Sequence, residues 1–148
     1  FRKEIVRVIR QYKPDLVVTA DPYRRYLWHR DHRITGRVVL DAVFPYARDY
    51  YAYPDLTEEG LEPHKVLEVL LWGAEEPNYS SDITDTFDIK MAALACHKSQ
   101  LGEQLSPELQ EMLKHRATVE AEGEDFELGE AFYRAEMMGP PPPRKITR

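Results

Sequence analysis

Two histidines with an aspartate between them are the strongest chemical signal in the sequence. His29, Asp31 and His32 stand in the string His-Arg-Asp-His. Imidazoles three residues apart point the same way in a helix or a tight turn. Imidazole is a common zinc ligand, and a nearby carboxylate can orient it. The spacing alone fits a pair of surface histidines in a charged loop better than a metal or proton-transfer site, because a His-x-x-His match is frequent by chance.

The elements before and after the histidines decide where they lie. A helix is predicted over residues 2–12, and the apolar, β-branched run Leu16–Ala20 is typical of a strand buried on both faces of a parallel sheet. A second helix is predicted over residues 31–47, in which Gly36 allows close approach to a neighbour. Ligands of such sheets bind at the carboxyl ends of the strands. This order therefore places His29 and His32 at the mouth of a crevice.

The rest of the chain continues the alternation of helices and strands. Strands are predicted over residues 66–72 and 126–134, with a short strand or turn over 82–87 and helices over 87–100 and 107–122. The first of these helices has an apolar stripe that we expect to be buried: Ile89, Ala92, Ala93 and Cys96. Four prolines in a row follow, which predicts one domain over 1–138 and a proline-rich tail over 139–148.

Composition excludes several classes of protein. The chain has 148 residues, 43% of them hydrophobic, which suits one globular domain. A net charge of −6 disfavours nucleic-acid binding. No apolar run approaches the roughly 18 residues of a membrane span. Cys96 is the one cysteine, which excludes an internal disulfide and suits a reducing, cytoplasmic compartment. The chain starts inside a helix pattern at Phe1, so we expect it to be a piece of a longer protein.

Three stretches together resemble the LmbE/PIG-L family of zinc-dependent N-deacetylases. The string over residues 13–42 resembles the family's proline-aspartate pair, buried strand, His-Pro-Asp-His motif and following helix, with Arg30 in place of the usual proline. Glu130-Ala131-Phe132 is a weaker match near the end. The remaining block has the pattern Asp-Ile-Thr, lysine, alanine and His-x-Ser-Gln, carried by Asp82-Ile83-Thr84, Lys90, Ala93 and His97-Lys98-Ser99-Gln100.

The resemblance implies a fold and an activity. The fold would be a Rossmann-like three-layer α/β sandwich with a mostly parallel sheet, here without its N-terminal strand–helix unit. The activity would be removal of the N-acetyl group from an N-acetylglucosamine-type substrate. By the same resemblance, His32 would bind Zn²⁺, His29 would stabilise the oxyanion or donate a proton, and Asp31 would support both. The family's other two ligands and its general base belong to an Ala-His-Pro-Asp-Asp-Glu motif that these residues lack, which implies half a metal site.

Residues around the histidine motif are candidates for binding the substrate. Tyr23, Arg24, Arg25 and Tyr26 form a basic, aromatic cluster that is either a solvent-exposed loop or a rim for a sugar or an anionic group. His97 is either a helix-end histidine or a substrate contact. The tyrosine-rich segment 46–53 favours a subunit interface, and hence a homo-oligomer.

Two further functions remain open at this level. An inactive relative that serves as a binding or assembly module would have the same motifs. A different metal hydrolase would need its other ligands elsewhere in the chain, where the acidic residues form no convincing partner motif.

Overall fold

The computed structural model describes residues 1–26 and 29–137, so the predicted tail lies outside the described residues. The chain forms two compact units, one built from Phe1–Pro77 with the end of the chain from Tyr133, the other from Asn78–Phe132. The strands are β1 (Leu16–Ala20), β2 (Glu68–Trp72), β3 (Tyr79–Asp82) and β4 (Gly129–Glu136). Their order in the sheet is β1-β2-β4-β3. The helices are α1 (Arg2–Tyr12), α2 (Arg30–Asp41), α3 (Pro54–Glu58), α4 (Phe87–Ala95), α5 (Lys98–Leu101) and α6 (Pro107–Glu120).

The parallel strands of the first unit confirm the predicted strand Leu16–Ala20. β1 and β2 pair in parallel, with Leu16 opposite Glu68 and Ala20 opposite Trp72. Burial on both faces, however, is wrong for β1. Leu16 and Val18 are 41% and 52% exposed, whereas the alternate side chains face the core cluster that includes residues of α1 and α2. A β-branched run identifies a strand, but it does not show whether both faces are covered.

Helix α1 buries an arginine beside its apolar side chains. Val6 and Ile9 are buried with Arg10, while Val8 is half-exposed. The Arg10 guanidinium donates hydrogen bonds to the carbonyl oxygens of Tyr46, Ala47, Asp49 and Ala52, at 3.2, 3.2, 2.8 and 2.9 Å. Burial lowers the pKa of Arg10, but an arginine so far above neutrality remains charged. One cation therefore binds four carbonyl groups of the tyrosine-rich loop.

The contact of α2 with β1 confirms the expected role of Gly36. A Cβ atom at this position would lie 2.3 Å from the carbonyl oxygen of Ala20 and 3.1 Å from side-chain atoms of Pro22. The helix ends earlier than predicted, at Asp41. A π-helical turn over Ala42–Tyr46 follows, in which Phe44 is extended, with φ −141° and ψ 122°. Pro45 accounts for this, since the residue before a proline is pushed out of the α region.

The second unit packs two helices against an antiparallel strand pair. β3 and β4 pair with Tyr79 opposite Phe132 and Asp82 opposite Gly129. The small core of this unit contains Ile83, Phe87 and Ala117. Helix α6 begins as predicted, with Pro107 at its start and the Ser106 hydroxyl accepting a hydrogen bond from the Leu109 N–H at 3.2 Å.

The predicted burial of the α4 stripe is wrong. Ile89, Ala92, Ala93 and Cys96 are all exposed, and Phe87 and Met91 face the core instead. The apolar residues of α4 are spread around the whole helix, interrupted by Asp88 and Lys90, so their periodicity could not identify the buried face. In the described part of the chain, no helix is both long and apolar enough to cross a membrane.

We expect Gly36→Ala to destabilise the protein by about 2 kcal/mol, the typical cost of overpacking. Alanine is the better helix former by about 1 kcal/mol, but its methyl group would meet the backbone at Ala20, which cannot rotate away. The free energy of unfolding in urea measures this. Arg37→Ala, on the exposed side of the same helix, is the control and should not destabilise.

We expect Arg10→Met to destabilise the protein by at least about 3 kcal/mol, because it removes four hydrogen bonds that a charged group donates to the loop. Methionine keeps the apolar stem, so the loss reports the hydrogen bonds. Denaturant unfolding is again the measurement. Arg7→Met removes surface ion pairs with Glu4 and Glu59 and should leave the midpoint almost unchanged. Equal effects of the two variants would contradict the assigned role of Arg10.

Candidate active site

The two histidines of the motif lie side by side at the start of α2. His29 is the extended residue that precedes the helix, and His32 lies in its first turn. Their rings are stacked, with centroids 4.4 Å apart and planes 26° from parallel. His32 also meets the ring of Trp72 edge-on, at 5.2 Å between centroids. Since Trp72 is the last residue of β2 and pairs with Ala20 at the end of β1, both imidazoles lie at the carboxyl end of the parallel strands.

Asp31 is in the first turn of α2 and is exposed. Within the described residues, no hydrogen bond or ion pair joins its carboxylate to either imidazole. A carboxylate in the first turn interacts favourably with the positive end of the helix dipole. Its proposed support of the histidines stays a prediction.

The side chains around this pair match only part of the metal site that the family resemblance implies. Both imidazoles are exposed, and either can offer a ring nitrogen. Over residues 1–26 and 29–137, no group of three or more His, Cys, Asp or Glu side chains is placed to hold a metal ion. A catalytic zinc needs about three protein ligands. These residues therefore fit one part of such a site and do not complete it.

The segment after β1 continues the strand and then turns sharply. The N–H of Asp21 donates to the carbonyl oxygen of Trp72 at 3.0 Å, which extends the parallel pairing by one residue. The Asp21 carboxylate then accepts a hydrogen bond from the N–H of Tyr23 at 2.8 Å. Tyr26 has a left-handed backbone, with φ 56°. These two hydrogen bonds of Asp21 hold the start of the turn that carries the side chains of this segment.

A cavity of about 600 Å³ opens beside this turn. Two of the predicted substrate-binding residues, Tyr23 and Arg24, are in its wall, and the other two are not. Arg25 points to Glu75, with which it forms an ion pair at 3.2 Å, and Tyr26 is almost fully exposed. Neither histidine is part of the described wall. The volume of the cavity lies within the range of known ligand pockets, about 300–1,000 Å³.

Several wall residues were missed by the sequence analysis: Asp21, Leu40, Asp41, Phe44, Leu71 and Tyr133. Leu40 and Asp41 belong to the last turn of α2, and Phe44 follows in the π-helical turn. Asp21 alone had a usable signal, since it directly follows a buried strand. Whether the other residues reach the cavity depends on how the helices and strands pack together, which local sequence does not specify.

The last predicted contact, His97, lies in the second unit. It precedes α5, is exposed, and its carbonyl oxygen accepts hydrogen bonds from the N–H groups of Gln100 and Leu101 at 2.9 and 3.1 Å. These contacts describe a histidine at a helix start. Its role toward a substrate stays a prediction.

Comparison with known proteins agrees with this architecture. Residues 1–43 match the family model "PIG-L: GlcNAc-PI de-N-acetylase". Diacetylchitobiose deacetylase of Thermococcus kodakarensis is 38% identical over 102 residues, which are 69% of this chain and 38% of that protein.

Two solved structures are similar to the chain. The inhibitor complex of N,N′-diacetylchitobiose deacetylase from Pyrococcus horikoshii has a TM-score of 0.75 at 27% identity, covering 91% of this chain and 51% of that one. A conserved protein of Thermus thermophilus has the same fold, with a TM-score of 0.70 at 21% identity over 97% of this chain and 62% of its own. The α/β class is thereby confirmed, with a mixed sheet. The chain spans between 38% and 62% of the length of these relatives.

Proposed function

Because the chain belongs to the LmbE/PIG-L family of N-deacetylases, we propose that its protein hydrolyses the N-acetyl group of an N-acetylglucosamine-type sugar. The observation that carries this proposal is the stacked pair of His29 and His32 at the carboxyl end of β1 and β2. Two relatives that bear the name diacetylchitobiose deacetylase support the choice of an acetylated amino sugar.

The two imidazoles have different tasks in this proposal, as the family resemblance implies. Water adds to the amide carbonyl, the C–N bond breaks, and acetate and a free amine result. His29 donates a hydrogen bond to the oxygen that becomes negative in the tetrahedral intermediate, or a proton to the leaving amine. His32 offers a nitrogen to a divalent metal, which we take to be Zn²⁺. When bound, such a metal lowers the pKa of water toward about 7.

The remaining ligands and the general base would come from residues outside this chain. Among the described residues no set of three metal-capable side chains exists, which supports a site completed elsewhere. The same observation favours a second function, that of an inactive relative serving as a binding or assembly module. The two functions differ in whether the longer protein releases amine.

The cavity beside the turn that follows β1 is proposed to hold one sugar unit of the substrate chain. Tyr23, Phe44 and Tyr133 supply aromatic side chains to its wall, and aromatic rings pack well against the apolar faces of sugars. Arg24 supplies a guanidinium group with several donors for hydroxyl or anionic groups. Arg25 and Tyr26 would act at the exposed rim.

In the longer protein, we expect His29→Ala to lower kcat for diacetylchitobiose about 100- to 1,000-fold, the usual cost of losing an oxyanion donor. His32→Ala should abolish both turnover and zinc content, measured by amine release and by elemental analysis. Residues 1–148 alone should show no turnover with zinc present.

His115→Ala removes an exposed imidazole on α6 and should leave turnover unchanged. Amine release by residues 1–148 that disappears in their His29→Ala variant would show a complete site within this chain and would contradict the half-site. A longer protein that never releases amine would favour the binding module.

We further propose that the protein is a cytoplasmic homo-oligomer, associating through the tyrosine-rich loop. Tyr46 and Tyr53 pack against the core, whereas Tyr50 and Tyr51 are 61% and 90% exposed. The loop is held by Arg10, so these rings need little further ordering on association. Rigid, exposed tyrosines are typical of interfaces.

We expect the double variant Tyr50→Ser/Tyr51→Ser to shift the protein from oligomer to monomer at micromolar concentration, because association would lose its aromatic contacts. Light scattering measures the change. Tyr12→Ser removes an equally exposed tyrosine from the end of α1 and should not alter the mass. A strict monomer before any substitution would contradict the proposal.

A further inference from the structure

Asp21 is a buried carboxylate with an incomplete set of hydrogen bonds. Its residue is only 9% exposed, and one oxygen accepts the N–H of Tyr23 at 2.8 Å. In the part of the chain that the structure describes, no other hydrogen bond and no ion pair reaches this carboxylate. A buried carboxylate is unfavourable unless donors or a cation satisfy it, and Asp21 is part of the wall of the 600 Å³ cavity.

A buried oxygen without a described hydrogen-bond partner lies nearby, in β1. The hydroxyl oxygen of Thr19 is buried and makes no hydrogen bond within the described residues. Thr19 and Asp21 are two residues apart on extended chain, so their side chains leave the same face of the sheet. Buried polar atoms nearly always have partners, and an exception calls for a missing one. Thr19 is not part of the described cavity wall, so the acceptor that the end of β1 offers to a donor bound in the cavity is the Asp21 carboxylate.

The charges of the cavity wall favour a cation as that group. Asp41 forms an ion pair with Arg2 at 3.7 Å, and Glu75 forms one with Arg25. Asp21 and Glu76 have no ion pair among the described residues, and Arg24 is the wall's basic residue. The wall therefore keeps a net negative charge once its own ion pairs are counted, and the most buried carboxylate is among those left without a cation.

We propose that this cavity is a subsite for an amino sugar that carries a free amine, with its ammonium group on Asp21. The aromatic side chains of Tyr23, Phe44 and Tyr133 take the ring, and the ammonium supplies the missing donors and the missing positive charge. A neutral acetamide supplies one N–H and no charge, so the cavity prefers the deacetylated unit. The choice of an amino sugar rests on the proposed deacetylase function, whose product carries this group.

The subsite gives the protein a preference for sugar chains that already hold one deacetylated unit. A glucosamine unit on Asp21 would hold such a chain while another unit occupies the reacting position. Free glucosamine would compete for the same place.

Calorimetric titration of the protein with glucosamine, glucose and N-acetylglucosamine at neutral pH tests this. We expect glucosamine to bind at least tenfold more tightly than the other two sugars. Asp21→Asn keeps an oxygen for the N–H of Tyr23 and should remove this preference, weakening glucosamine binding at least tenfold and leaving glucose unchanged. Glu58→Gln removes a charge from an exposed position at the end of α3, outside the cavity wall, and should change the glucosamine affinity less than threefold.

A second variant keeps the test decisive if Asp21→Asn is unstable. Phe44→Ala, at a half-exposed position, should weaken glucosamine and glucose by the same factor. Glucose binding as tightly as glucosamine, or unchanged glucosamine affinity in Asp21→Asn, would overturn the subsite. Because binding is measured without turnover, glucosamine binding by an inactive protein would contradict only the deacetylase function. Turnover without glucosamine binding would contradict only the subsite.

Discussion

The arrangement of the site depends on the close packing of α2 against the end of β1. At Gly36 the helix backbone comes so near the carbonyl oxygen of Ala20 that there is no room for a side chain. This contact fixes the distance between the helix and the sheet. Because a helix is stiff, the same contact also determines where both of its ends lie.

One helix therefore serves two different chemical environments. Its first turn carries His32 to Trp72 at the end of β2, and its last turn supplies Leu40 and Asp41 to the wall of the cavity. A shift of α2 would move the imidazoles and the cavity wall together. The geometry of the proposed reaction and the fit of the proposed sugar are thus coupled through a single glycine.

Local patterns in the sequence predicted what depends on neighbouring residues. The strand Leu16–Ala20 has the observed bounds, and the place of His29 and His32 at the strand ends follows from the order of elements. The buried face of α4 could not be predicted, because its apolar residues are spread around the helix and give no periodic signal. Arg10 was missed for a related reason, since its carbonyl partners lie about 40 residues along the chain.

The cavity wall shows the same limit at the site. Asp21 follows a recognisable strand, but Phe44 reaches the wall only because the helix ends early and the chain turns at Pro45. Tyr133 comes from the distant strand β4. Such residues are brought together by tertiary packing. The sequence motif identifies where the chemistry lies, and the fold decides what can bind beside it.

Arg10 has a consequence for how the loop after α2 can vary in length. A single planar guanidinium donates hydrogen bonds to the carbonyl oxygens of four loop residues at once: Tyr46, Ala47, Asp49 and Ala52. Inserting or deleting one residue between Tyr46 and Ala52 would rotate the later carbonyls away from a group that cannot bend to follow them. The segment that displays Tyr50 and Tyr51 is therefore of fixed length. A change of length is better accommodated beyond Ala52, where no carbonyl is bound to this arginine in the described structure.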